Sequence, residues 1–472
     1  MIRHRMHHAL VALSVAVAAS TAAFAGDTPV APDHPAAPPQ QQQQQSQGAP
    51  ATPEQMQREL DQLRAEVRQL QADRAYSSKE AADAVASVIA DADRRSQLLL
   101  SEEGSPYLGG WKSGKFTIQS ADGNYVLHPW FQFQPRYVYN FRDNAKNGGD
   151  SDQQSGFEIR RMKFGVDGNV FSPDVTYLFN WATNRKTGAL ELEEAWLRWR
   201  FADQWAVRFG QIKDPLAHEQ LMSSKMLLAA DRSLLNEAFV GGDDFVQGIT
   251  LAWGGEKDAL QAEVGFTDGS QSANTNFQDD TNDNATAQNR ADFGVAGRVQ
   301  YKLMGDWKDY QDFTALNTKS DLLVVGGGGD WTQTSDLNVY LHTVDAQYES
   351  PSGLGLYAAF VGRYTDTATS GTRYDWGALG QISYLINPSL EIFGRYDYIF
   401  FDAGSVSASS DDRTVHEITA GLNYYFRAHA AKLTFDVTYL PNGTPVSADS
   451  IGVLSDPGNT EIVVRGQFQL LL

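Results

Sequence analysis

Cysteine is absent from all 472 residues. Disulfides, thiolate chemistry and cysteine-based metal sites are therefore excluded. Positive charge is in deficit: 38 lysines and arginines stand against 58 aspartates and glutamates, a formal net charge of −20. Phosphodiester backbones are recognised by clustered Lys and Arg, so no nucleic acid is expected as a partner. Beyond the first 25 residues no apolar run approaches the ~20 residues that a spanning helix needs. Enzyme signatures are missing as well. No G-x-S-x-G, H-E-x-x-H, P-loop or dinucleotide fingerprint stands in a usable context. The nine histidines are scattered, four of them at or before His34. No catalytic residue, metal or cofactor is expected.

What is there begins with an export signal. Arg3 and Arg5 precede a short apolar stretch, and Ala23-Phe24-Ala25 offers a small-x-small cleavage site. Residues 1–25 thus read as a secretory signal, with a retained anchor as the alternative. Residues 26–53 are rich in proline, and Pro29, Pro32, Pro35, Pro38 and Pro39 lead into a glutamine run at 40–45. Such a segment buries too little apolar surface to offset its ordering entropy, and it reads as a disordered linker. In residues 54–100, Met56, Leu60, Leu63, Val67 and Leu70 recur at steps of four and three. This is a short heptad seam, marginal alone, which would zip as a periplasmic coiled coil when another structure holds copies together. A single amphipathic helix packed on its own domain is the alternative.

From residue 101 to 472 the helical period gives way to period two. Sixteen strand candidates follow: 125–139, 157–166, 175–181, 192–201, 205–213, 246–253, 260–266, 293–301, 322–331, 337–348, 354–364, 374–384, 390–400, 414–426, 433–439 and 461–472. Many approach the length of a tilted spanning strand. Connections after even-numbered strands are mostly tight, while several after odd-numbered strands are long and polar. That segregation predicts an all-β transmembrane barrel of about 16 antiparallel strands, preceded by the short coiled-coil helix. Residues 304–319 are long where a tight turn is expected and 333–336 short where a loop is expected, which leaves the strand count open there. The aromatic share of 11 % suits girdles at two membrane interfaces, but it suits a soluble secreted β-protein equally.

Alternation places Arg161, Lys163, Arg198, Arg200 and Arg208 on the polar faces of neighbouring strands. A wall of such cations would favour anions; alternatively each pairs with a carboxylate, such as Glu194, and stiffens the wall. The insert 214–242 is too long for a hairpin and has a helix-like stretch at 221–228. Loops of that length tend to be functional. It carries His218, Glu219, Lys225, Asp231, Arg232 and Glu237, an acidic balance that would face the basic wall across a constriction. An extracellular lid or a contact between subunits is the alternative. The glycine run 326–329 lacks a following Lys and reads as a strand flaw or bulge.

Three ordered motifs now stand out: Arg160-Arg161-Met162-Lys163-Phe164-Gly165, Gly210-Gln211-Ile212-Lys213-Asp214-Pro215, and Ser223-Ser224 followed by Asp231-Arg232-Ser233. Together they resemble the phosphate-selective porin O and P family. The resemblance implies a sixteen-stranded, trimeric outer-membrane porin with the loop after its fifth strand folded into the pore. The expected function is a passive channel for small hydrophilic solutes with anion (phosphate among them) bias. Outer-membrane lipid, two further copies of the chain and small anions or other solutes are the expected partners. The alternative is a closed structural barrel tethered through its coil to the cell wall. A lipid-facing band predicts that the protein stays in the membrane pellet until detergent is added; release into buffer alone would identify a soluble β-protein instead.

Overall fold

The computed structural model describes residues 64–65, 107–112, 115–143, 151–241, 245–275, 291–334, 337–368, 371–406 and 413–472. The chain divides into two units, residues 1–90 and 91–472. Of the first, only Arg64 and Ala65 are described, and both are helical. The expected signal segment, the linker and nearly all of the heptad seam lie outside the described residues.

A hairpin, β1 (Tyr107–Lys112) and β2 (Lys115–Ser120), precedes sixteen longer strands. They are β3 (Val126–Asp143), β4 (Asp152–Asn169), β5 (Val175–Thr183), β6 (Leu190–Ala202), β7 (Trp205–Lys213) and β8 (Phe245–Trp253). Then follow β9 (Leu260–Thr267), β10 (Phe293–Met304), β11 (Leu322–Thr334), β12 (Leu337–Glu349) and β13 (Leu354–Thr367). The wall is completed by β14 (Gly371–Asn387), β15 (Leu390–Phe400), β16 (Thr414–Arg427), β17 (Ala431–Leu440) and β18 (Thr460–Leu471). From β3 onward each strand pairs antiparallel with the next, and β18 returns to β3 from Thr460↔Asp143 to Leu471↔Gln132. The ring is closed, as a barrel in lipid requires. The hairpin pairs with the foot of β3 through Ile118↔Leu127 and Gln119↔Val126.

All sixteen wall strands stand where the alternation places them, and the count through 303–336 is intact. The two exceptions to loop parity are therefore features of the molecule. Two residues separate β11 from β12, and a long segment, 305–321, joins β10 to β11 on the side of the tight turns.

The two faces of the ladder are inverted relative to a soluble protein. Outward residues are apolar and exposed, among them Val264, Val299, Val344, Ile382, Ile392 and Leu422. Near the loop side the outer face carries a run of touching rings, from Phe266 through Phe293, Trp331 and Tyr340 to Tyr364. Inward residues are polar and buried: Gln132, Gln134, Asp436, Arg465, Gln467 and Gln469 lie on three adjacent strands. Burial of polar groups here comes from chain folded into the lumen, and each must find a partner there.

The glycine run is neither a flaw nor a bulge. Both ladders of β11 pass through 326–329 in unbroken register. Its use is close approach. A Cβ on Gly328 would lie 2.5 Å from the carbonyl oxygen of Leu216, on the segment after β7. Gly328→Ala must therefore move that segment, at a cost of about 1–3 kcal/mol. The expected outcome is a less heat-stable barrel with a larger or noisier single-channel conductance. Gly380→Ala, where a Cβ meets nothing within 4 Å, serves as the silent control.

Candidate functional site

Past Lys213 the chain leaves the wall and enters the lumen. It forms α1 (His218–Leu221) and α2 (Leu234–Phe239), and the expected helix over 221–228 does not form. The reason lies in its carbonyls. Lys213 Nζ donates to the carbonyls of Gln220, Leu221 and Met222 at 3.1 Å each. Arg232 donates to those of Glu219, Gln220 and Met222 at 2.9–3.3 Å. Acceptors that would continue α1 are already taken. The start of α2 is bound to the wall. Ser233 caps Asn236, while the amides of Leu234 and Leu235 donate to Glu417 at 2.8 Å and Asp397 at 3.3 Å. Wall carboxylates thus satisfy helix N–H groups and sit at the positive end of its dipole. Glu219 adds two bonds, from the Ser233 amide and hydroxyl.

Asp231 is the fastening point. Arg136, Arg160 and Arg161 all pair with its carboxylate, and Arg465 stands 4.0 Å away. Simple alternation would turn Arg160 to lipid. A β-bulge prevents this: Gln134 pairs with Arg161 and Pro135 with Ile159, so Arg160 is the extra residue. The bulge points two consecutive arginines at one carboxylate. Its trace was in the sequence, where the outward residues Phe157, Ile159, Met162 and Phe164 step by two, three and two. Burial alone would raise the Asp231 carboxyl; the guanidinium groups of Arg136, Arg160, Arg161 and Arg465 outweigh it and hold the group well below its usual range. The field expected between an acidic insert and a basic wall has collapsed here into contact ion pairs.

At the other end of the insert, His218 stacks on Tyr310 with ring centroids 4.0 Å apart and 8° between planes. Phe313 and Tyr357 complete the box, and Gln347 hydrogen-bonds the imidazole at 2.8 Å. Burial pushes the imidazole pKa down to about 4. Tyr310 and Phe313 come from 305–321, the long segment on the turn side. That segment also folds inward, with Thr314 on Glu391 at 2.6 Å and Thr318 on Glu349 at 2.8 Å. Two further loops enter from the opposite side. Ser450 binds Glu237 at 2.8 Å, and its carbonyl accepts from Arg136 at 2.7 Å. Asn274 binds Gln211 at 2.8 Å and the Leu192 carbonyl at 2.9 Å. Burial raises the Glu237 carboxyl above its usual range.

The wall cations fall into two groups. Arg161 lies behind the insert. Lys163 pairs with Glu193, the bulged residue next to Glu194, and Asn180 shares that partner. Arg208 pairs with Glu263 at 2.5 Å, and Arg200 pairs with Asp174 near the turn between β4 and β5. Arg198 is half-buried, faces Arg208 across the ladder, and makes no ion pair with any described residue. On the insert, Lys225 lies 5.0 Å from the ring centroid of Trp130. Sequence reasoning brought Arg161 and Asp231 to the same zone. It did not foresee Arg160 in the clasp, Glu193 in place of Glu194, or the turn-side segment.

Asp231→Asn removes the buried counter-charge shared by Arg136, Arg160 and Arg161 and should cost about 3–5 kcal/mol. It should appear as a lower temperature for the heat-induced gel shift. Because the carboxyl pKa is depressed, its contribution is complete above the unfolded value of about 3.9 and is lost only as pH falls below it. The wild type should keep its insert fastened through mildly acidic pH, with the variant weaker throughout that range and the difference between them shrinking as pH falls below about 3.9.

Residues 131–326 match the family described as "Phosphate-selective porin O and P". No curated protein sequence matches. Among solved structures, the fold is similar to an anion-selective porin from Comamonas acidovorans, at 12 % identity and a TM-score of 0.51, covering 73 % of this chain and 99 % of that one. Salmonella typhi OmpF in complex with daunomycin aligns at 15 % identity and a TM-score of 0.49, over 74 % and 98 % of the two chains. The outer-membrane channel DcaP of Acinetobacter baumannii aligns at 12 % identity and a TM-score of 0.45, over 75 % and 99 %. The closed sixteen-stranded ring and the lumen insert after its fifth strand thus accompany a stretch, residues 131–326, that is similar to the phosphate-selective porin O and P family.

Proposed function

We propose that this outer-membrane channel passes small hydrophilic solutes by passive diffusion, with a bias toward anions. The observation that carries the bias is Arg198. Most inward arginines are spent on carboxylates: Arg136, Arg160 and Arg161 on Asp231, Arg298 on Asp345, Arg395 on Glu417 and Arg465 on Asp436. Arg198 keeps its charge uncompensated by any ion pair among the described residues, next to Arg208, on the wall that the insert leaves half-exposed. A cation beside a low-dielectric wall attracts anions more strongly than it would in bulk water. Phosphate as a preferred cargo is not favoured, since a trivalent or divalent oxyanion wants several free donors and the arginine cluster is occupied by Asp231.

In this reading nothing is chemically transformed. The pore is a diameter and a field, set by the insert with His218, Glu219, Lys225, Asp231, Arg232 and Glu237 against the wall of Lys163, Arg198, Arg200 and Arg208. The heptad seam of 54–100 would stand in the periplasm and help hold a homotrimer. The tether alternative requires a sealed lumen, and bilayer conductance separates the two: steady current steps support the channel, a reconstituted oligomer without conductance supports the tether.

Reversal potential in a KCl gradient tests the bias. The wild type should prefer chloride. Arg198→Ala should lower the chloride-to-potassium permeability ratio by roughly twofold to fivefold, the size expected for one partly screened charge. Arg465→Ala, deep behind the insert, should reduce stability and leave the ratio near wild type. Cation preference in the wild type would refute the reading.

A further inference from the structure

The half-exposed part of the lumen wall is more than charged. Adjacent strands there carry Trp130 on β3, Asp167 on β4, Leu178 on β5, Trp196 and Arg198 on β6, and Arg208 on β7. Leu178, Trp196, Arg198 and Arg208 are all half-buried. Two cations are held against indole rings: the Arg208 guanidinium lies 5.6 Å from the Trp196 centroid, and Lys225 caps Trp130. A passage for water-like ions gains nothing from two tryptophans on its polar face, because an indole cannot replace the hydration of chloride or phosphate. The carboxylates nearby are engaged. Glu194 accepts from the Trp196 indole N–H at 3.3 Å, His128 holds Asp167 at 2.9 Å, and Glu263 is shared by Arg208 and Thr250.

We infer that this wall is a binding subsite for flat, ring-bearing organic carboxylates. The ring stacks on the Trp196–Arg208 face, and the carboxylate is taken by Arg198, which has no ion pair among the described residues. Each part follows from chemistry. A guanidinium offers a planar fork that matches a carboxylate, and the half-buried Arg198 makes no ion pair with any described residue. Trp196 lies two residues before it on the same face of β6, about 7 Å away, the length of a benzoate from carboxylate to ring edge. Arg208 against Trp196 presents a stacking surface already in place, which lowers the ordering cost of a flat ligand. Inorganic phosphate and short aliphatic acids can use Arg198 alone. The inference rests on the anion reading above and names the class of solute that reading leaves open.

The test uses the full chain in planar bilayers, with benzoate, acetate, benzylammonium or inorganic phosphate added at equal concentration. Benzoate should block the chloride current with an apparent affinity about tenfold above acetate, the size of one ring stacked on an aromatic side chain. Phosphate should do no better than acetate. Trp196→Leu should erase the benzoate advantage and leave the reversal potential unchanged, and Trp196→Phe should keep most of it. Where Trp196→Leu fails to assemble, Arg198→Lys decides: the positive charge stays, and the benzoate block falls several-fold because the planar fork is gone. Equal block by benzoate and acetate, strongest block by phosphate, or block by benzylammonium in place of benzoate overturns the subsite. An anion-selective channel without benzoate preference loses only this inference; a cation-selective wild type loses the anion reading with it.

Discussion

Backbone hydrogen bonds cannot be left open in a hydrocarbon layer, and the rest of this molecule depends on that constraint. A sheet that crosses lipid must close on itself. Here closure is made by β18 against β3, with the last residue still in the ladder: Leu472 exchanges both backbone bonds with Phe131. Closure then dictates the two faces. Outward positions take apolar side chains, and inward positions are polar, because the interior must either hold water or be filled with hydrogen-bonding chain.

This barrel fills much of its interior. The insert, the turn-side segment 305–321, and the loops carrying Asn274 and Ser450 bring backbone carbonyls and charged groups against the wall. The energetics of that filling are those of buried charge. An isolated carboxylate such as Asp231 would be untenable, but beside Arg136, Arg160 and Arg161 it anchors the insert through three ion pairs. Helix α2 is tied in the same way, its N–H groups on Glu417 and Asp397. Apolar packing adds to it, with Leu216, Leu228, Leu234 and Leu235 almost fully buried against the inner wall and one another. The insert is thus fastened by paired charges, while Arg198, two strands along the wall from β4, makes no ion pair with any described residue.

Much of the architecture was legible because period two is a local property. Val, Ile, Tyr and Phe alternating with Gln, Thr and Arg can be read within ten residues, and sixteen strands were placed that way. Loop lengths added the sidedness. The bulge at Arg160 was also written locally, in the three-residue step between Ile159 and Met162, though it passes for noise until the partner strand is known. The glycine run at 326–329 could be seen but not interpreted. Its role is to leave room for Leu216, more than a hundred residues earlier, and that proximity exists only in the closed ring.

The sequence by itself therefore determined the topology: a closed antiparallel ring, its inner and outer faces, and the position of an insert after the fifth wall strand. Alternation and turn chemistry act between neighbours along the chain, so they survive in one dimension. Only the tertiary structure decided which charges remain available. Arg161 and Arg198 look alike in sequence, each an inward arginine on a polar face. One is sealed against Asp231 behind the insert and the other stands opposite Arg208 on the half-exposed wall. That difference depends on which carboxylate reaches which guanidinium across the lumen, a distance that no local pattern encodes.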